Sequence, residues 1–134
     1  MKNLCGILFT LLFVQFSSGQ NQVDVLIMGG GAGGTSAGIQ AARMGVNVQI
    51  LETTPWLGGM LTSAGVSAID GNHEMPSGIW GEFRQKLRDH YGGAAALATG
   101  WVSHTLFEPS IGNKLLQEMA AISNLDIALN AVYT

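Results

Sequence analysis

A run of glycines lies between an apolar segment and a stretch of small residues, and it restricts the folds that this chain can adopt. Residues 23–28 are mostly apolar and end directly at glycine, which predicts a buried parallel strand. Residues 31–44 carry many small side chains and predict a helix, which Gly45 would end. Residues 46–51 alternate in polarity and predict a second strand. Together they form a strand–helix–strand unit of about thirty residues, the length that a parallel crossover needs.

The glycines that follow the first strand have the G-x-G-x-x-G spacing. Gly29 permits the tight turn, and Gly31 has no side chain, so the backbone there can approach a pyrophosphate. Gly34 lets the helix pack closely against the sheet, with Gly38 one turn later. The helix N-terminus would stabilise the negative charge of the phosphates. The predicted cofactor-binding residues of this loop are Gly29, Gly31, Ala32, Gly33 and Gly34.

Glu52 ends the second strand, eighteen residues after Gly34. A carboxylate at this place can accept hydrogen bonds from ribose hydroxyls, and it would repel the 2′-phosphate of NADP. The glycine spacing alone is a weak signal, because a glycine-rich turn often serves backbone geometry and binds nothing. Here every element of the unit agrees with the motif, which favours dinucleotide binding but leaves FAD and NAD both open.

Residues 52–66 (Glu-Thr-Thr-Pro-Trp-Leu-Gly-Gly-Met-Leu-Thr-Ser-Ala-Gly-Val) resemble the FAD-dependent oxidoreductase family of glutathione-reductase-like Rossmann flavoproteins. The Leu-Gly-Gly-Met-Leu-Thr-Ser form is similar to a branch with many secreted bacterial members. The resemblance implies that Gly58 and Gly59 form a second bare-backbone segment near the pyrophosphate and flavin, and that FAD is the cofactor. An ordinary turn after a strand is the alternative for the doublet. An NAD-linked dehydrogenase is disfavoured, because NAD domains rarely need that second segment.

The rest of the chain predicts two helices and a third strand. Apolar side chains four residues apart (Ile79, Phe83, Leu87, Tyr91) indicate a helix that ends at Gly92-Gly93. A second helix would follow Pro109, with Ile111, Leu115, Met119 and Ile122 on one face, and residues 125–132 would form a strand. The resemblance implies that Phe107-Glu108-Pro109 opens this helix and that Val132 brings its backbone near the adenine. A buried strand valine is the alternative for Val132.

The predicted fold class is therefore α/β, a Rossmann-like FAD/NAD(P)-binding βαβ domain with a parallel sheet. The resemblance covers residues 23–134, and members of the family continue much further, with more strands and a substrate domain. We therefore expect residues 20–134 to be the N-terminal part of an FAD-binding Rossmann domain, truncated at the C-terminus. We expect this fragment alone to be inactive.

Residues 1–19 have the pattern of a cleaved secretory signal. Lys2 precedes an apolar run over residues 4–16, and Ser17-Ser18-Gly19 supplies small residues for cleavage. The run is shorter than the roughly 20 residues that span a bilayer, so no stable membrane anchor is expected after cleavage. A secreted or periplasmic protein is predicted. The single cysteine, Cys5, lies inside this segment, so residues 20–134 offer no dithiol–disulfide chemistry.

Charge and residue types narrow the function further. A formal charge of −3 leaves no basic face for nucleic acid. No histidine lies between Glu52 and Asn72, where relatives similar to fumarate reductase attach flavin, so non-covalent FAD is expected. No pair of residues has metal-ligand spacing, and no metal is predicted. The catalytic residue stays unidentified: His73 is either a base facing the flavin or a solvated loop residue. His90 lies near a helix end, and His104 is a cap or a surface group.

The predicted reaction removes a hydride or an electron pair from a small-molecule or glycan-derived substrate. The alternatives left open are an NAD-linked dehydrogenase and a non-catalytic nucleotide-binding module of a secreted carbohydrate-related protein. A bound yellow cofactor would separate the flavoenzyme from both alternatives, and bleaching of that cofactor by a substrate would separate an enzyme from a module.

Overall fold

The computed structural model describes residues 22–71, 73, 75–101 and 103–132, so the predicted signal lies outside the described residues. Within these ranges the chain folds around a parallel sheet with strand order β1-β2-β3. The strands are β1 (Val25–Met28), β2 (Val48–Glu52) and β3 (Leu125–Leu129). The helices are α1 (Ala32–Arg43), α2 (Gly78–Tyr91), α3 (Ala94–Leu97) and α4 (Pro109–Ala120), with a 3-10 turn at Gly59–Leu61. The predicted α/β class with a parallel sheet is confirmed.

The register of the sheet brings the carboxyl ends of its strands to one edge. Val25 lies opposite Val48 in the first pair of strands, and Glu52 lies opposite Leu129 in the second. Because α1 crosses over between β1 and β2, the two strands run in the same direction. The glycine run after β1, Glu52 at the end of β2 and the residues after β3 therefore meet at this edge, where open α/β sheets bind ligands.

The interior between α1 and the sheet is filled by aliphatic side chains. Ile39 of α1 and Ile50 of β2 are completely buried. Gly38 allows this close approach, because a Cβ atom there would lie 2.6 Å from Cδ1 of Ile50. Such a contact is too short for packed carbon atoms, so the predicted role of Gly38 in helix–sheet packing is confirmed.

The two predicted amphipathic helices are also present. α2 buries Phe83 and Leu87 and ends at Gly92, which has the left-handed φ of 83° that favours glycine after a helix. α4 begins at Pro109 as predicted, since proline tolerates the first helical position. It ends at Ala120, two residues before the predicted Ile122. None of the helices in the described ranges is long and apolar enough to cross a membrane.

The third strand is shorter than predicted. It ends at Leu129 instead of residue 132, because Asn130 adopts a φ of 55° that is incompatible with a strand. The amide N–H of Asn130 donates to the carbonyl oxygen of Thr54 at 3.2 Å, which turns the chain toward the end of β2. Asparagine tolerates this backbone conformation better than most residues, so the strand stops where the sequence permits a turn.

Candidate nucleotide-binding site

Two glycines of the loop after β1 are required by the protein's own packing. Gly29 has a φ of 101°, and its N–H donates to the carbonyl of Leu51 at 2.7 Å. A side chain on Gly34 would collide with the carbonyl oxygen of Gly29 and would also contact Cγ2 of Ile27 at 3.1 Å. The predicted roles of Gly29 in the turn and of Gly34 in close helix packing agree with this geometry.

Gly31 and Gly33 differ, because no contact among the described residues requires them to be glycines. Apart from its chain neighbours and the nearby backbone of α1, a Cβ atom on either residue would meet no atom of the described residues within 4 Å. Gly31 has φ −61° and ψ −179°, a conformation that other residues also adopt. The space that a side chain would fill lies at the N-terminus of α1, where Gly31 is the capping residue. These positions therefore leave room for a ligand beside the backbone.

The N-terminus of α1 is suited to an anion. Among the described residues no side chain makes a capping hydrogen bond to it, and its first turn contains no acidic residue. The first intrahelical bond to this loop runs from the N–H of Thr35 to the carbonyl of Gly31 at 2.8 Å. The preceding amides, those of Ala32, Gly33 and Gly34, belong to the set that a helix N-terminus presents to phosphate groups.

Glu52 lies against this loop and is only 7% exposed. Its Oε2 accepts a hydrogen bond from the N–H of Gly30 at 2.6 Å, and its Oε1 accepts one from the N–H of Thr54 at 2.7 Å. Burial alone would raise the pKa of Glu52, but the bonds from Thr54, Gly30 and Thr53 together hold the pKa below its ordinary value. The side chain is therefore a fixed carboxylate, and its two oxygens keep acceptor capacity for a ribose hydroxyl.

The glycine doublet packs directly on the first glycine loop. The N–H of Gly58 donates to the carbonyl of Gly30 at 2.8 Å, and Gly58 pairs with Gly31 in a short parallel bridge. A Cβ atom on Gly59 would lie 2.9 Å from Cα of Gly31, and one on Gly58 would lie 2.7 Å from Cδ1 of Leu116. The two bare segments thus form one continuous backbone surface beside α1. An isolated turn after a strand would not make these contacts.

Val132 lies at the same edge of the sheet but beyond the end of β3 at Leu129, and not within the strand as predicted. Ala131 donates its N–H to the carbonyl of Glu52 at 2.9 Å, which holds the segment after β3 beside the end of β2. The side chain of Val132 is 86% exposed, so its interpretation as a buried strand valine is wrong. Its backbone stays a candidate for contact with an adenine ring near Glu52.

Three residues that organise this site were missed in the sequence. Gly30 occupies a variable position of the motif, yet a Cβ there would lie 2.9 Å from Cδ2 of Leu57 and 3.0 Å from Cβ of Glu52. Thr35 is completely buried and donates its hydroxyl to the carbonyl of Gly30 at 2.7 Å. Thr54 holds Glu52 through its backbone. The available signal was a third consecutive glycine where the motif permits any residue.

The histidines lie elsewhere. The imidazole rings of His73 and His104 are 4.5 Å apart, and His90 packs against the ring of Tyr91 at 4.8 Å. None of these contacts involves the glycine loop or Glu52. Among the residues that the structure describes, no group of three His, Cys, Asp or Glu side chains is arranged to hold a metal ion.

The sequence of this chain is similar to the sequences of known proteins. The profile of the family described as "FAD dependent oxidoreductase" matches residues 24–134. The mitochondrial dihydrolipoyl dehydrogenase of Pisum sativum is 40% identical over 57 residues, which are 42% of this chain and 11% of that protein. The matched stretch therefore spans about a tenth of the length of this curated relative.

Two solved structures are also similar. THI4 of Thermovibrio ammonificans has 17% identity and a TM-score of 0.48, and the match covers 96% of this chain and 46% of that chain. The Cu(II) complex of the HOCl-induced flavoprotein disulfide reductase RclA from Escherichia coli has 16% identity and a TM-score of 0.42. That match covers 82% of this chain and 22% of that chain.

Proposed function

This chain belongs to the FAD-dependent oxidoreductase family, and FAD is its cofactor; on that premise we propose that the edge of the sheet described above holds the adenosine and pyrophosphate of a non-covalently bound FAD. The residues that would contact the cofactor are Gly29, Gly31, Ala32, Gly33, Gly34, Glu52, Gly58, Gly59 and Val132.

The observation that carries this proposal is the open space beside Gly31 and Gly33. Both positions lie at the N-terminus of α1, and no contact within the described part of the chain requires either glycine. A pyrophosphate beside these residues would receive backbone N–H groups and the positive end of the helix dipole. A side chain at either position would occupy that space, which explains the glycines. The residues present therefore fit an FAD pyrophosphate.

Glu52 supports the adenosine half of the same assignment. Its carboxylate is fixed by the N–H groups of Gly30 and Thr54, so its remaining lone pairs have defined directions. Ribose hydroxyls can donate to such a carboxylate, and the depressed pKa keeps the acceptor charged at neutral pH. The backbone after β3, which is bonded to Glu52 through Ala131, would lie against the adenine at Val132.

The proposed activity is oxidation of a small-molecule or glycan-derived substrate. When bound, FAD supplies the acceptance of a hydride or an electron pair. The residues described here bind and orient the nucleotide. The pattern of residues 1–19 supports a secreted or periplasmic location without a stable membrane anchor, and the resemblance of residues 57–63 to a secreted bacterial branch supports the same assignment. The negative formal charge argues against nucleic acid as a partner.

The test is the absorption spectrum of the complete gene product, purified in the dark. We expect flavin bands, and acid precipitation should release FAD, not FMN, into the supernatant. FAD that stays with the precipitate would contradict the non-covalent assignment. A colourless protein that takes up neither FAD nor FMN would refute the site.

Substrate screening under anaerobic conditions then tests the activity. Bleaching of the flavin bands by a sugar or another small molecule would identify an oxidoreductase substrate. A flavin that dithionite reduces but no substrate reduces would favour the non-catalytic nucleotide-binding module. The Gly31→Val variant is the control for the position of the FAD site, because it should be purified without flavin bands.

A further inference from the structure

A second concave region lies between α2 and the loops before α2 and α4. One hollow of about 650 Å³ is lined in part by His73, Arg84 and Arg88. An adjoining hollow of about 310 Å³ shares His73 and Arg84 and adds His104. We call these four residues and the space between them the basic hollow. The chain has only six lysines and arginines, so two arginines at one hollow are a local concentration of positive charge in an acidic protein.

Arg88 is the unusual member of this group. Its Nε atom is buried and has no hydrogen-bond partner among the described residues. A buried donor without an acceptor costs about 1–3 kcal/mol, so native proteins rarely retain one unless water or a ligand supplies the acceptor. Arg84 lies beside it on α2, with its guanidinium carbon 6.0 Å from the centre of the Trp80 ring.

Two carboxylates among the described residues of this region, Glu82 and Asp89, are engaged by other residues. Glu82 also lines the larger hollow, but Arg43 of α1 holds both of its oxygens, at 2.7 and 2.9 Å. Asp89, on the same helix, accepts a hydrogen bond from Gln85 at 2.8 Å. The positive charge of Arg88 is therefore not matched by either of these acids.

The basic hollow is separate from the nucleotide site. Residues 29–34, Glu52, the Gly58–Gly59 doublet and Val132 do not line either of its parts. An anion in the hollow would therefore not be the pyrophosphate of FAD. The arginine fork donates two parallel hydrogen bonds to a carboxylate or a phosphate, and a neutral imidazole adds one further N–H.

We propose that the basic hollow binds a small anionic ligand through its carboxylate or phosphate oxygens, with Arg88 as the principal donor and His73 and His104 as side-chain donors beside it. The larger hollow has the size of a small-molecule site, which typically measures roughly 300–1,000 Å³. Both kinds of ligand present an oxyanion, which is planar in a carboxylate and tetrahedral in a phosphate. A carboxylic acid and a phosphate ester are its two sources, and the experiment separates them.

The experiment is isothermal titration calorimetry of the FAD-saturated full-length protein with inorganic phosphate and, separately, with succinate. Sodium chloride keeps the ionic strength constant. We expect one of these anions to bind, and the preferred anion identifies the source. Arg88→Gln should weaken that binding at least tenfold. The control Lys114→Gln removes the same charge from an exposed residue of α4 that does not line the hollow, and it should leave affinity unchanged.

A further variant and a competition experiment test the proposal. His104→Gln alters an exposed loop residue, so it should fold normally even if Arg88→Gln does not, and it should weaken anion binding severalfold. Saturation with FAD should leave the anion affinity of the wild-type protein unchanged relative to the FAD-free protein. Binding of neither anion would overturn the proposal, and so would equal losses in Arg88→Gln and Lys114→Gln. An anion that binds only in the absence of FAD lies in the nucleotide site, and this result would also overturn the proposal.

Discussion

Replacing Glu52 by glutamine tests how this carboxylate holds the loop. Its Oε2 accepts from Gly30 at 2.6 Å and its Oε1 accepts from Thr54 at 2.7 Å, in a residue that is 7% exposed. Glutamine offers one oxygen and one NH₂ group, so in either orientation the NH₂ group faces a backbone donor. One buried N–H then loses its acceptor, and we expect Glu52→Gln to lower the free energy of unfolding by about 1–3 kcal/mol.

The assay is urea unfolding of the protein without FAD, followed by circular dichroism. The matched control is Asp126→Asn, which makes the same chemical change at an exposed carboxylate of β3 that accepts a bond from Gln49 at 2.8 Å. This surface change should alter stability by no more than about 0.5 kcal/mol. Equal, small effects of both variants would refute the argument that Glu52 organises the loop. A loss confined to FAD affinity would show that Glu52 serves the ligand alone.

Three further predictions follow from contacts in the same region. Hydrogen bonds depress the pKa of Glu52, so its contribution to stability should be complete above its ordinary pKa of 4.5 and should disappear as the pH falls through the lower folded pKa. Urea midpoints of wild type and Glu52→Gln, compared across acidic pH, measure this contribution. A difference that stays constant with pH would contradict the prediction. Gly34→Ala places a methyl group against the carbonyl of Gly29, so it should lower the free energy of unfolding by about 1–3 kcal/mol in the same assay. A neutral effect would contradict this prediction. Arg43→Gln breaks a partly exposed ion pair with Glu82, so it should lower the free energy of unfolding by about 0.2–1 kcal/mol, and by less at high salt. A larger loss of stability that does not depend on salt would contradict a surface role for this pair.

The strand–helix–strand unit could be predicted because its signals are local. Val25–Met28 ends directly at Gly29, small residues fill α1, and Gly45 follows it with the left-handed φ of 87°. Each of these preferences acts within a few residues, so a short window of sequence contains it. The predicted family followed from a motif of the same local kind, the doublet after Glu52, and the family profile confirms it.

The parts that could not be predicted depend on contacts between distant residues. Gly30 must be small because Leu57 and Glu52 come back against it, and no spacing rule encodes that return. The pairing of His73 with His104 joins two loops that are distant in sequence. Such contacts exist only after the core has formed, so residue type and spacing do not specify them.

The prediction for the end of β3 was wrong for a different reason. Residues 125–132 are apolar enough to continue a strand, and their pattern contains no glycine or proline. The hydrogen bonds from Asn130 and Ala131 to the end of β2 outweigh this preference and turn the chain. Tertiary contacts thus override a weak local propensity.

An FAD titration of Gly31→Val beside wild type, with urea unfolding of both proteins in the absence of FAD, tests directly where the pyrophosphate binds. Apart from its chain neighbours, the Cβ position at Gly31 meets no atom within 4 Å in the residues that the structure describes, and its φ of −61° suits other residues. We therefore expect the stability of the FAD-free protein to change by no more than about 0.5 kcal/mol, while FAD affinity falls at least tenfold. Unchanged FAD affinity in a stably folded Gly31→Val protein would contradict the placement of the pyrophosphate at the N-terminus of α1.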